Sequence, residues 1–412
     1  MRGIQFGEAA IMFAKQILHQ LFSLASDVPF TVVYWDGTSE EYGQGLSRFT
    51  VRIQNQRFID NLGDDYEIAF ADAYVTGQID IEGDIGDIIT LAAAVLQRLE
   101  ESPTHALWKT FGRIAPHMGR RSLKKQRSDV QRHYDLGNDF YRLWLDESMT
   151  YSCAYFRHRD DSLETAQLQK TDHCLRKLRI RPGESLLDIG SGWGALTRRA
   201  ADKYAANAVG ITLSKEQYSY SCDALHQADL QDVCDVRMQD YLSTARQGVR
   251  FDKIVSVGMI EHVGHAHLGE FSEAVASLLK PGGLALLHFI TSPREGPLCS
   301  WMDRYIFPGA YLPTLPEAIQ QFHLQNLRIL DVENLREHYQ ITLDRWSERF
   351  EAHSDEVRKK LGDQFVRMWR LYLRGCSASF REGIVELHQV LVSNGKSDNV
   401  PLTREDIYKP VD

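Results

Sequence analysis

Several things are scarce in this sequence, and each shortage excludes a class of protein. Long apolar runs are missing: no stretch of the 412 residues approaches the roughly 20 that a bilayer-spanning helix needs. The N-terminal MRGIQFGEAAIMFAKQ has no long apolar core and no clear cleavage site of a secretory leader. The expectation is a cytoplasmic protein, either soluble or lying on the inner face of a membrane. Cysteine is sparse. The six residues Cys153, Cys174, Cys222, Cys234, Cys299 and Cys376 contain no CxxC pair and no Cys/His cluster at ligand spacing. That argues against a disulfide framework and a zinc site, and fits a reducing compartment. Positive charge is in deficit, with 47 Lys and Arg against 56 Asp and Glu, net -9. A general nucleic-acid binder is not expected. Internal repeats and low-complexity segments are absent.

What is present is ordinary globular composition, 43% hydrophobic and 25% charged, at a length for one large domain with a smaller one attached. Apolar residues recur at helical spacing from Glu8 to Ala25 and from Asp87 to Glu101. FTVVYWDG (Phe30 to Gly37) and FTVRIQ (Phe49 to Gln54) read as strands. Residues 1–105 are therefore expected to form a small α+β domain.

Between Lys109 and Arg132 the sign of charge reverses. Lys109, Arg113, Arg120, Arg121, Lys124, Lys125, Arg127 and Arg132 face a single acid, Asp129. The segment, taken as a linker over 106–130, reads either as a solvated connection or as a patch for anionic phospholipid. In the second case each basic residue near the surface contributes about 1 kcal/mol.

From Arg181 strands and helices alternate. SLLDIG, AVGITL, VCDVRMQD, FDKIVSVGMI and LALLHFI are the strands, with a Lys280-Pro281-Gly282-Gly283 turn before the last. Repeated βαβ units predict an α/β doubly wound, mostly parallel sheet. The chain from about Thr342 is expected to be helical, a cover on a catalytic domain spanning 131–412.

LLDIGSGWGAL places Asp188 at the end of a buried strand, then Gly190, Gly192 and Gly194, then a helix. The spacing is GxGxG rather than the GxGxxG of a pyrophosphate loop. Glycines there let the backbone turn sharply and approach a ligand. An acid ahead of them suits an ammonium better than a phosphate. A NAD-type loop or a plain tight turn is the competing interpretation. The combination resembles motif I of class I S-adenosylmethionine (SAM) methyltransferases, whose seven-stranded Rossmann-like fold it implies. On that resemblance Thr212, Ser214 and Gln217 would meet the ribose, and Gln239, Asp240 or Tyr241 the adenine edge.

A second constellation surrounds TYSCAYF, Thr150 to Phe156. It includes HYDLGNDFYRLWLDESM upstream, VSVGMIEHVG (Val255 to Gly264), LLHFI (Leu286 to Ile290), YIFPGAYLP (Tyr305 to Pro313) and EHYQITLDRW (Glu337 to Trp346). Taken singly these mean little, since a lone cysteine is most often a small buried hydrophobe. Together, in order, they resemble the cyclopropane fatty acid synthase family over about Gln131 to Arg381. AYVTGQIDIEGD (Ala73 to Asp84) resembles, more loosely, the extra N-terminal domain of the phospholipid-modifying branch.

The resemblance implies methyl transfer from SAM to a cis double bond of a phospholipid acyl chain, with bicarbonate as the base that closes a cyclopropane ring. It implies a bicarbonate site of Cys153, Glu261, His288, Ile290 and Tyr339, in which Cys153 and Ile290 donate through backbone N–H groups. Tyr151 and Ser152 would contact SAM. The acyl substrate implies a peripheral membrane association, and the family a homodimer through the N-terminal domain. Other readings stay open: methyl or methylene addition without ring closure, amine N-methylation, and a lipid-binding protein on an inactive methyltransferase fold.

Overall fold

The computed structural model describes residues 15–16, 18–20, 22–23, 28–55, 66–92, 136–397 and 400–408. The basic stretch, the expected boundaries at 105 and 130, and parts of both N-terminal helical segments lie outside the described residues. The chain forms two compact units. One gathers residues 1–118, 299–304 and 350–384; the other holds 119–298, 305–349 and 385–412.

The smaller unit carries a four-stranded sheet. Its strands are β1 (Phe30–Val33), β2 (Ser39–Tyr42), β3 (Thr50–Ile53) and β4 (Ile79–Glu82), in the order β2-β1-β3-β4. Alternation sets its inner face: Phe30, Val32, Val51, Ile53 and Ile79 are buried. Phe30 stacks between Tyr42 and Phe49, with ring centroids 4.9 and 5.3 Å away. The helix Asp363–Arg381 belongs to this unit, although the sequence reading grouped it with the catalytic domain. Its arginines explain the attachment. Arg367 pairs with Asp80 at 2.7 Å and donates to the Tyr74 and Ile79 carbonyls at 2.6 and 2.8 Å, and Arg374 pairs with Asp84.

The larger unit is built on seven strands: β5 (Ser185–Ile189), β6 (Asn207–Thr212), β7 (Cys234–Met238), β8 (Phe251–Val257), β9 (Leu279–Thr291), β10 (Leu327–Asn334) and β11 (Glu386–Asn394). Their order is β10-β11-β9-β8-β5-β6-β7. Pairs from β9 through to β7 are parallel, while β11 runs antiparallel to both β9 and β10. This is the expected class I methyltransferase sheet. Leu186, Leu187, Ile254, Val255, Leu286 and Leu287 are fully buried, as strands covered by helices on both faces require.

Two expectations are corrected. The C-terminal region is not helical throughout, because Glu386–Asn394 pairs residue by residue with Leu284–Thr291 and fills the slot between β9 and β10. Its apolar run is too short for periodicity to separate strand from helix. The Lys280–Gly283 segment is not a free turn ahead of the fifth strand either. It is a bulge inside β9: register passes from Phe251↔Leu279 to Lys253↔Leu284, and Gly282 has φ +76°.

Candidate active site

The chain reverses direction across the sheet at β5. It goes on to β6 and β7 on one side, then returns to β8 on the other. Ligands of open α/β sheets bind at this switch point, beyond the carboxyl ends of the strands. A cavity lies there. Of the residues expected to bind cofactor, Tyr151, Ser152, Asp188, Gly190, Gly192, Thr212, Gln217, Gln239 and Asp240 line it.

Asp188 sits between Gly210 of β6 and Val255 of β8, and accepts from the Thr197 hydroxyl at 2.8 Å. Burial pushes its carboxyl up to about 6, against the pull of that hydroxyl and of Lys170. Gly190 has φ +81°, and a Cβ there would stand 3.0 Å from Met259 Cγ, so the loop both needs glycine's backbone and uses its missing side chain.

Gly194 and Ser214 do not line the cavity. Gly194, at φ +78°, starts the helix Ala195–Tyr204. Ser214 caps the helix Lys215–Gln227 by accepting from Gln217 N at 3.3 Å, so its hydroxyl serves the helix rather than a ribose. Thr212 donates to Gln217 Oε1 at 2.8 Å, which fixes that amide at the cavity wall. Asp240 caps its own helix through Ser243 N at 2.8 Å.

The TYSCAYF segment is a strap held by side chains. Gln167 donates to Ser152 O at 2.9 Å, and Thr342 accepts from Ala154 N at 3.0 Å. Cys153 is fully buried, and burial pushes its thiol well above the ordinary value. A thiol in that state is not a nucleophile. Tyr151 packs among Tyr141, Trp144 and Trp346, with centroids 5.6, 5.2 and 5.3 Å away. Tyr339 meets the same Trp346 at 6.1 Å.

Glu261 and His288 are buried, and each leaves a polar atom unmatched. Glu261 Oε1 accepts the backbone N–H of Ile290 at 2.7 Å, while Oε2 has no hydrogen-bond partner among the described residues. Burial pushes this carboxyl up to about 7, although the Ile290 N–H pulls it down. The Ile290 N–H thus points at Glu261, where the resemblance implied an anion. A buried carboxylate oxygen takes the nearest donor, and Ile290 is that donor.

His288 Nδ1 meets Gln389 Nε2 at 3.0 Å, and its Nε2 has no partner among the described residues. Gln389 also reaches Cys174 Sγ at 3.5 Å, which orients the amide as a donor. With Gln389 donating to Nδ1, the imidazole proton lies on Nε2. Burial, with Lys170 and Lys177 nearby, pushes His288 down to about 3, so the ring is neutral. Buried polar atoms are rarely left without partners, and Glu261 Oε2, His288 Nε2 and Gln389 Oε1 are three such atoms among the described residues. Gln389, Lys170 and Thr342 were not singled out from sequence. Gln389 and Thr342 act on segments far away in the chain, and Lys170 reaches Ser152, 18 positions back, with no local pattern that signals it.

The sequence profile of the mycolic acid cyclopropane synthetase family matches residues 121–390, and that of a domain of unknown function, DUF7884, matches 17–100. A "Probable fatty acid methyltransferase" of Pseudomonas putida is 37% identical over 391 residues, 93% of this chain and 97% of that protein. The solved structure of cyclopropane synthase MmaA2 from Mycobacterium tuberculosis is 34% identical with a TM-score of 0.61, over 68% of this chain and 100% of that one. The mycolic acid cyclopropane synthase CmaA1, solved with SAH and CTAB, is 33% identical with a TM-score of 0.61, over 68% and 99%.

Proposed function

The chain belongs to the mycolic acid cyclopropane synthetase family of SAM-dependent methyltransferases, and from that premise we propose that it is a cyclopropane-fatty-acyl-phospholipid synthase. When bound, SAM would supply an electrophilic methyl group to a cis alkene, and bicarbonate a small base to take the proton that this methyl loses as a three-membered ring closes.

The observation that carries the base site is the pair of buried, unmatched atoms on Glu261 and His288. A bicarbonate ion has one O–H to give and two oxygens that accept. Glu261 Oε2 would accept a hydrogen bond from the O–H, and the His288 Nε2–H would donate to an oxygen. Accepting that hydrogen bond would favour the ionised form of Glu261, which burial alone disfavours. Ile290 acts one step back by holding Glu261 in place. Gln389 does the same for the His288 tautomer. Cys153 contributes a small, fully buried side chain to the strap. The aromatic faces of Tyr151 and Trp346 suit positive charge developing on the acyl chain.

Phospholipid as the substrate is supported by the near full-length match to a fatty acid methyltransferase and by the resemblance of the N-terminal domain to the phospholipid-modifying branch. Among the described residues no helix is long and apolar enough to cross a membrane. The enzyme meets its substrate at the cytoplasmic face of the bilayer, through the basic stretch before His133.

The test is product analysis. The purified chain is incubated with SAM, bicarbonate and liposomes of unsaturated phospholipid, and the released fatty acid esters are weighed and examined by NMR. One CH2 gained with the alkene replaced by a ring supports the synthase. The name of the Pseudomonas relative favours a second reading, methyl addition without ring closure, which predicts one CH2 gained and the double bond retained. No product from lipid would overturn both.

A further inference from the structure

The cavity at the switch point is lined by one lysine, Lys170, which is 3% exposed. Its Nζ has one hydrogen bond, to Ser152 Oγ at 3.3 Å, and among the described residues no carboxylate lies within ion-pair distance of it. A buried ammonium with only a hydroxyl for company is costly, because its charge has lost water without gaining an anion. The same helix, Leu163–Lys177, provides the contrast. Two turns further on, Lys177 is equally buried but sits 2.5 Å from Glu333 and 3.3 Å from Asp331. Lys177 has two carboxylates within ion-pair distance; Lys170 has none among the described residues.

Asp188, 2% exposed, lines the same cavity and does not bridge to Lys170. Two opposite buried charges that face one cavity without neutralising each other match a zwitterion. The amino-acid end of SAM or SAH is a zwitterion, with an ammonium and a carboxylate on one carbon. We propose that Lys170 anchors the carboxylate of the cofactor's amino-acid end, with Ser152 beside it, while Asp188 governs the ammonium side. This rests on SAM as the cofactor and not on the nature of the lipid or product. Lys170 also influences Cys153 and His288 electrostatically, so an anion in the base site is the competing occupant.

The test is calorimetric binding of two ligands, SAH and decarboxylated SAH, to the full chain, wild type and Lys170→Met. The wild type should prefer SAH by about 10- to 100-fold, the worth of a charge-assisted hydrogen bond to a buried partner. Lys170→Met should lose that preference: SAH weakens by a similar factor while the decarboxylated ligand is held as before. Lys170→Arg should recover part of it. If Lys170→Met does not fold, as judged by circular dichroism, Lys170→Gln is put to the same comparison. Equal wild-type affinity for both ligands would overturn the assignment. So would equal loss of both ligands in a folded Lys170→Met. Intact SAH binding with a raised bicarbonate requirement would also overturn it, moving the lysine to the base site. Failure of the wild type to bind SAH at all would strike the cofactor reading instead.

Discussion

Glu261 Oε1 and the backbone nitrogen of Ile290 are 2.7 Å apart, and this bond decides which oxygen of Glu261 can do chemistry. Oε1 is committed to the sheet. Oε2, buried and without a partner, is the reactive end. The carboxylate is thereby aimed from β9 although it is carried by the short helical turn Ile260–His262 after β8.

Glu261→Gln keeps the shape and the bond to Ile290 but loses the ability to remain an acceptor alone. Turnover with saturating SAM should fall by about 10²- to 10⁴-fold, the usual scale for a lost acid–base partner. SAH affinity should stay within threefold, since Glu261 does not line the cofactor cavity. Weak SAH binding in the variant would mean that the residue shapes the cavity instead.

The same substitution has a signature in stability against pH. The folded carboxyl keeps its proton up to about 7, whereas the unfolded chain releases it near the ordinary 4.5. Between those values the folded state holds more protons, so the contribution of Glu261 to stability falls as pH rises and levels off above about 7. The total is about 3 kcal/mol. Melting temperatures of the ligand-free protein should therefore show Glu261→Gln gaining on wild type from pH 5 to 7, with a constant gap beyond. His288 runs the opposite way. Its folded value near 3 lies below the ordinary 6.5, so its contribution is complete above 6.5 and is lost as pH falls towards 3.

Cys153→Ala and Cys153→Ser should keep activity within about tenfold of wild type, because the thiol is protonated and buried, with the neighbouring Ala154 carbonyl at 3.1 Å and the Thr342 hydroxyl as its partners. A thiol reagent should leave the native enzyme active at neutral pH, since the buried Cys153 thiol stays protonated there. Complete loss of turnover in a folded Cys153→Ala would require a direct chemical role for the sulfur.

Gln389→Leu removes the donor that fixes the His288 tautomer. It should lower stability by about 1–3 kcal/mol, the cost of a buried polar atom left alone. It should also cut turnover more than it weakens SAH. His288 Nδ1 is the partner lost, so NMR of the imidazole nitrogens should show the proton no longer confined to Nε2.

The cofactor half of the site was the more legible in sequence. Asp188, Gly190 and Gly192 stand in one short run whose order, strand then turn then helix, carries its own geometry. Thr212 and Gln217 follow from the next repeat of the same unit. Two residues have partners that the expectation did not include: Ser214 caps a helix, and Ile290 gives its N–H to Glu261. Neither choice is visible without the third dimension. Strand β11 was missed because its apolar residues fit a buried strand or a buried helix equally, and its partner β9 lies about a hundred positions earlier in the chain. Lys170 hid for a simpler reason. In a helix of mostly polar residues a lysine looks like solvent decoration, and only burial reveals it.

The smaller unit takes its last large helix, Asp363–Arg381, from near the far end of the chain. During synthesis the strands of 30–82 emerge first, and the helix that pairs with Asp80 and Asp84 emerges roughly 300 residues later, a wait of roughly 15–60 s at ordinary elongation rates. The first part of the protein to be made is thus among the last to be finished, and it passes that interval without the arginines that later pair with its acids.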